Sequence, residues 1–178
     1  MSKALYGLDI ETHDPLLKTA GYSWKYNQGY VLATAIYSEN EDRIYVIAGL
    51  NNDNCPRTKE QREHDNESIK VLLQNPDVAI VGANIQYDLG WLLYEYGMST
   101  YDVKCKIIDV LQAESILDEF GTHSLESISQ AYLKYGKKKE RIEDWVHENV
   151  SKRGDFRQHL KDAPWELMVE YVSGDAKN

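Results

Sequence analysis

The run Leu5-Tyr6-Gly7-Leu8-Asp9-Ile10-Glu11-Thr12 reads as a short apolar strand interrupted by two carboxylates. In an extended chain successive side chains alternate between faces, so Asp9 and Glu11 share one side and Leu8 and Ile10 the other. Two carboxylates held this close repel each other. Either the strand carries a solvated acidic face, or a hard divalent cation lies between the acids, because such an ion takes oxygen ligands and cancels the repulsion. The run alone leaves both readings open, and further acids must decide between them.

Composition narrows the frame. With 178 residues, 42% of them hydrophobic and 28% charged, the chain can bury one sizeable core but hardly two. A formal net charge of −9 argues against a protein that coats polyanions without selectivity, since that affinity comes from Lys and Arg neutralising phosphates. Cys55 and Cys105 are too few and too far apart for a disulfide framework or a zinc pattern, so reduced thiols are expected. Strand-like sequence follows Met1-Ser2-Lys3-Ala4 directly, with no charged and apolar signal region and no run able to span a bilayer. An intracellular protein with no membrane partner is the expectation.

In chain order, His13 to Gln28 has loop chemistry, with Pro15 and Gly21 among aromatics. Tyr30 to Tyr37 is rich in β-branched and aromatic residues, Asn40-Glu41-Asp42 supplies a turn, and Arg43 to Ala48 reads as the returning strand. The polar stretch Asn51 to Asp65, holding Pro56, reads as a surface loop before a helix over Glu67 to Leu73, where Ile69, Leu72 and Leu73 share a face. Asp77 to Gly82 is a short buried strand. Ile107-Ile108 closes another, and Asp109 to Leu117 and Ser124 to Leu133 are amphipathic helices separated by a turn at Gly121.

Two later places carry acids at helical spacing. In Gly82-Ala83-Asn84-Ile85-Gln86-Tyr87-Asp88, a helix should start beyond the strand, and Asn84 and Asp88, four apart, would stack on one face near its edge. Asn84 as an N-cap, Asp88 as a solvated acid and Tyr87 as a core aromatic is the alternative. Pro164 fits the first turn of a last helix, Trp165 to Asp175, in which Tyr171 and Asp175 are again four apart. An exposed helix would favour Lys or Arg near its end over another acid, so Asp175 there asks for a reason. Between these places, Lys137-Lys138-Lys139, Arg141, Lys152, Arg153, Arg157 and Lys161 form a basic segment. It is either a solvated surface or a rim that tracks phosphates.

Taken together, Asp9-Ile10-Glu11-Thr12, then Asn84-Ile85-Gln86-Tyr87-Asp88, then Tyr171-Val172-Ser173-Gly174-Asp175 resemble, in order and spacing, the three motifs of the four-acid, DnaQ-like 3′-to-5′ exonucleases in their tyrosine-bearing (DEDDy) branch. The stretch Ile108-Asp109-Val110-Leu111-Gln112-Ala113 with Ser124-Leu125-Glu126-Ser127-Ile128 is also similar to the linking segment in proofreading domains of family A DNA polymerases, especially phage ones. The resemblance implies an α/β, ribonuclease-H-like fold, a mixed sheet of an antiparallel hairpin plus parallel strands flanked by helices. That agrees with the hairpin and the alternating strands and helices read from the residues.

The same resemblance implies the chemistry. Phosphodiester hydrolysis brings hydroxide to a negatively charged phosphorus and stabilises a leaving oxyanion, and two divalent ions about 4 Å apart, Mg²⁺ or Mn²⁺ rather than zinc, do both. Asp9 would bridge both metals, Glu11 and Asp175 would complete the site that generates the nucleophile, and Asp88 would hold the second metal through water. Tyr171 would orient the attacking water, since a phenol with a pKa of about 10 is a poor base at neutral pH. Thr12, Asn84 and Tyr87 would contact the terminal nucleotide, with Pro15 or Leu16 packing on its base. Ala83 departs from relatives that carry a polar residue there, which removes one substrate contact.

The expectation is one exonuclease domain over residues 1–178, the N-terminal part of a longer polymerase chain, its last helix continuing in the parent so that Asp175 is mobile here. It would release nucleoside 5′-monophosphates from the 3′ end of single-stranded DNA as a proofreader, in the cytoplasm, or the host cytoplasm if phage-encoded. The alternatives are a free-standing exonuclease of the same branch acting on RNA or DNA, and a nucleic-acid-binding module with a lapsed site.

Overall fold

The structure, a computed structural model, describes residues 4–133, 140–152 and 154–177. Its centre is β1 (Ala4–His13), flanked on one side by the hairpin β2 (Tyr30–Ser38) and β3 (Arg43–Ala48), and on the other by β4 (Val78–Gly82) and β5 (Lys106–Asp109). The sheet order is β3-β2-β1-β4-β5, antiparallel within the hairpin half and parallel from β1 to β5. This is the mixed, ribonuclease-H-like sheet that the motif resemblance implies.

Helices cover both faces. On one, α1 (Lys59–Gln74) and α2 (Ile85–Tyr96) bury Ile69, Leu73, Trp91 and Leu92 against Leu8, Ile10 and Ile80. On the other, α5 (Glu140–Asn149), a 3-10 segment (Phe156–Asp162) and α6 (Trp165–Lys177) bury Ile142, Val146, Leu160, Met168 and Val172 against Leu32, Ala33 and Ala35. Two shorter helices, α3 (Val110–Leu117) and α4 (Leu125–Leu133), follow β5. The alternation of β1 holds: Leu8 and Ile10 are buried in the first core, while Asp9 and Glu11 face the second helix layer.

A bulge is what brings those acids to the rim. Glu11 pairs with Ala33 and Thr12 with Val31, so Leu32 is an extra residue in β2 that bends the ladder beside the carboxylates. β4 pairs with β1 only from Ala4 to Gly7, which leaves the carboxyl half of β1 open on that side for the start of α2.

Three local expectations are corrected. The helix expected over Glu67 to Leu73 begins at Lys59, inside the stretch read as loop, because Thr58 and Gln61 form a capping box that satisfies two free amide donors at its N-terminus. The polar loop His13 to Gln28 contains a 3-10 turn (Ser23–Tyr26), and the basic segment contains α5 and the 3-10 segment at Phe156, each anchored by a few apolar residues on a charged background. Asn84 does stand at the N-cap of α2, but in a left-handed conformation (φ 56°) with no side-chain cap bond. Asp109 does the capping instead: its carboxylate accepts from the amides of Asn84 and Ile85 at 3.2 Å and of Leu111 at 2.9 Å, tying the starts of α2 and α3 together. Lys137, Lys138, Lys139 and Arg153 lie outside the described residues. Both cysteines are free, and no described helix is long and apolar enough to cross a membrane.

Candidate active site

Three carboxylates converge where β1 meets α6. Asp9, Glu11 and Asp175 each offer an oxygen within 4.8 Å of the others. Glycine makes this approach possible. Gly7 lies on the same face of β1 as the two acids, and a Cβ there would stand 2.1 Å from the backbone oxygen of Ala176. Only a residue without a side chain lets α6 close on the strand far enough for Asp175 to reach Asp9 and Glu11. Gly7→Ala is therefore expected to displace the end of α6 by a fraction of an ångström to an ångström and to lower kcat about a hundredfold, while far-ultraviolet circular dichroism stays native.

Asp88 completes the acidic group from the first turn of α2 and is only 5% exposed. Burial, and then the neighbouring charges of Asp9, Asp109 and Asp175, push its carboxyl well above the usual carboxylate range. Its Oδ2 is buried and has no hydrogen-bond partner among the described residues. A buried, unsatisfied carboxylate oxygen facing like charges is costly in the protein alone, and a divalent cation removes that cost. All-oxygen ligands on a rim open to solvent fit a hard ion such as Mg²⁺ or Mn²⁺, and the free cysteines stand elsewhere.

Tyr171, one turn before Asp175, is 3% exposed and packs edge-on against Phe156 with ring centroids 5.9 Å apart. Next to Phe156 stands Arg157, whose guanidinium lies 5.8 Å from that ring. Burial works against its charge, but a hydrogen bond donated to the Tyr171 hydroxyl and the nearby Asp155 and Glu11 carboxylates hold its pKa above the ordinary value. Arg157 thus belongs to the site, although in the sequence it is indistinguishable from its basic neighbours. Arg141 is instead ion-paired with Glu170 on the surface.

Beside the acids runs a cleft of about 280 Å³, walled by Glu11, Thr12 and Tyr87 on one side and by Arg157, Gln158 and Leu160 on the other. Thr12 Oγ1 and the Tyr87 hydroxyl are 2.7 Å apart, and Asp14 Oδ2 accepts from Tyr87 at 3.1 Å. Since Tyr87 gives its single proton to Asp14, its oxygen accepts from Thr12. The Thr12 oxygen is left as an acceptor toward the cleft. Pro15 and Leu17 line the cleft where Leu16 was expected, while the Leu16 amide donates to Ser23 Oγ at 2.8 Å. Asn84 is exposed and stands outside the lining residues. Lys18 and Asp155 close one end with an ion pair of 2.8 Å, exposed enough to contribute little stability.

The sequence pattern of the 3′–5′ exonuclease family matches residues 29–177. That span holds Asp88, Tyr171 and Asp175, and β1 adds Asp9 and Glu11 from ahead of it. No curated protein sequence matches the chain. Among solved structures, Brucella melitensis NrnC bound to pGG superposes with a TM-score of 0.61 at 13% identity, over 98% of this chain and 67% of that one. Trypanosoma brucei RNase D gives 0.66 at 12% identity, over 98% and 54%. The catalytic core of RRP6 from Trypanosoma brucei gives 0.57 at 14% identity, over 98% and 38%. The chain therefore spans about two thirds of NrnC and about half of RNase D, and at these identities the likeness establishes the fold. The family match covers most of the chain, and its last acid meets the two carboxylates of β1 within a few ångströms: the protein belongs to the 3′–5′ exonuclease family, the metal-dependent nucleases.

Proposed function

We propose that the protein removes nucleoside 5′-monophosphates one at a time from the 3′ end of single-stranded RNA or DNA, using two divalent ions held by Asp9, Glu11, Asp88 and Asp175. The observation that carries this reading is the convergence of Asp9, Glu11 and Asp175 within 4.8 Å beside a buried Asp88 and Tyr171. Ions bound there supply Lewis-acid activation of water and neutralise charge on the leaving oxygen. The neighbours' ligands, pGG on NrnC and RNA U12 on RNase D, favour an exonuclease of the RNA-trimming kind over a polymerase proofreader. A NrnC structure with bound Mg²⁺ supports the choice of metal.

The side chains divide the work. Asp9, on the middle strand, with Glu11 and Asp175 within 4.8 Å and its charge felt by Asp88, would be the ligand shared by the ions. Glu11 and Asp175 would hold the ion that activates the attacking water, and Asp88, from the first turn of α2, would support the second ion. Tyr171 accepts from Arg157, which fixes the hydroxyl beside the acids, where it would orient the attacking water. Arg157 also offers donors toward the scissile phosphate. In the cleft, the Thr12 oxygen accepts from the terminal sugar, and Pro15, Leu17 and the Tyr87 ring flank the base. Asn84, beyond the cleft wall, meets the strand outside that pocket.

Digestion of matched 5′-labelled RNA and DNA single strands with Mg²⁺ tests the reading. The expected result is a ladder shortening from the 3′ end that stops with EDTA. Internal cuts in a circular strand, or turnover that survives exhaustive chelation, would contradict it. A proofreading role would appear as a strong preference for DNA. Tyr171→Phe is expected to slow turnover about ten- to a hundredfold, the worth of one lost hydrogen bond to a charged group, with metal affinity unchanged. Equal loss of metal binding and turnover would refute the positioning role.

A further inference from the structure

Outside the cleft, behind its Tyr87 wall, Tyr22 and the 3-10 turn Ser23–Tyr26 that follows it carry the exposed Tyr22 ring, the half-buried Trp24 and an exposed cation, Lys25. Tyr22 stands edge-on to Tyr87 at 5.7 Å and lies parallel to Trp24, with centroids 6.1 Å apart and planes 11° apart. Lys25 Nζ sits over both, 5.2 Å from the Tyr22 ring and 5.6 Å from the Trp24 ring. Trp24 rests its indole edge against Gly90 of α2, where a Cβ would meet it at 3.4 Å, whereas Tyr22 is 38% exposed.

The turn is fixed to the cleft by one carboxylate. Asp14 Oδ1 accepts from both the amide and the hydroxyl of the fully buried Ser23, and Asp14 Oδ2 accepts from Tyr87. Cleft wall and aromatic turn therefore move as one body. Asn27, in a left-handed conformation, stops the turn and returns its amide to the carbonyls of Ser23 and Trp24. A pre-ordered ring and ammonium at the edge of a nucleotide-sized cleft are what an unpaired nucleotide recognises: its base stacks on the ring, and its phosphate meets the cation.

We infer that Tyr22, Trp24 and Lys25 form an outer subsite that binds the base and phosphate of a nucleotide upstream of the one being removed, so that the enzyme prefers strands of several nucleotides to dinucleotides. The inference rests on the exonuclease reading and extends it to substrate length. The cleft, with about 280 Å³, is at the small end of ligand pockets and houses the terminal nucleotide alone. Everything that separates a long strand from a short one must then be read outside it.

The test compares kcat/KM for a 5′-labelled decanucleotide and dinucleotide of matched 3′ end, in wild type, Tyr22→Ala, Tyr22→Phe and Lys25→Glu. The ratio of decanucleotide to dinucleotide should fall about tenfold or more in Tyr22→Ala and Lys25→Glu, and Tyr22→Phe, which keeps the ring, should retain it. An unchanged ratio in Tyr22→Ala would overturn the subsite, as would equal loss on both lengths, which a merely structural role predicts. Anisotropy of a fluorescent decanucleotide in Ca²⁺ reads binding without turnover: weaker binding by Tyr22→Ala than by wild type is expected, and equal binding would overturn the subsite even if wild type hydrolysed nothing. Absence of hydrolysis by wild type with Mg²⁺ would reject the exonuclease reading separately.

Discussion

Asp9→Ala is expected to lower kcat by about a thousandfold or more, the largest loss of any single substitution in the site. Charge neutralisation by bound metal is worth several kcal/mol in the transition state, and each 1.36 kcal/mol is tenfold in rate. Asp9 sits on the central strand with Glu11 and Asp175 within 4.8 Å and Asp88 within its electrostatic reach, which is why it is the residue proposed as the shared ligand. The apo fold should survive, because removing one of several crowded carboxylates relieves repulsion. The check is single-turnover kinetics alongside thermal melting. A loss of less than tenfold would contradict the assignment.

Asp88→Asn has two expected effects of opposite sign. Turnover falls about a hundredfold or more, because the proposed metal centre loses one anionic group. In EDTA, however, the protein becomes more stable, by about 1 kcal/mol or more, because the neutral amide no longer places a carboxyl in a buried site facing the charges of Asp9, Asp109 and Asp175, which is a rise of several degrees in Tm. The pH dependence carries the same signature. The folded carboxyl is raised above the ordinary aspartate value of 3.8, so between that value and the folded pKa the native state binds more protons than the unfolded one. Metal-free wild type should therefore lose stability as pH rises through this window, and Asp88→Asn should not. An unchanged or lower Tm of the variant in EDTA would show that Asp88 is not held against its own burial.

How far the sequence could be read follows from the same physics. The period-two pattern of β1 and the apolar hairpin are local signals, and both faces came out as the alternation requires. Spacing put each of the four acids on a definite face of a strand or helix, but their grouping rested on the resemblance of the three motifs, and the fold brings Asp9, Glu11 and Asp175 within 4.8 Å of one another. The first turns of α1 were not read, because Lys59 to Asn66 is almost wholly polar. The signal present, Thr58 with Gln61, was a capping box rather than a hydrophobic stripe. Gly7 was invisible for another reason. Its role depends on the backbone of Ala176, at the far end of the chain, and nothing local in the sequence announces a helix crossing at that point. Arg157 was hidden among like charges until the fold placed it against Tyr171, while Arg141 from the same run proved to be an ordinary surface partner of Glu170. Asp109 was read only as the start of a helix, though its carboxylate also holds the start of α2, which carries Asp88.

Asp9, Glu11 and Asp175, with Asp88 beside them, are proposed to form one metal centre built where β1 meets α6. Titration of Mn²⁺ into wild type and Asp9→Ala, followed by disappearance of the free-ion electron paramagnetic resonance signal, tests it without reference to any substrate. Saturable binding by wild type and at least about tenfold weaker binding by Asp9→Ala are expected, since a charge-assisted ligand is lost. Equal affinity in the two proteins, or no binding by wild type, would contradict it.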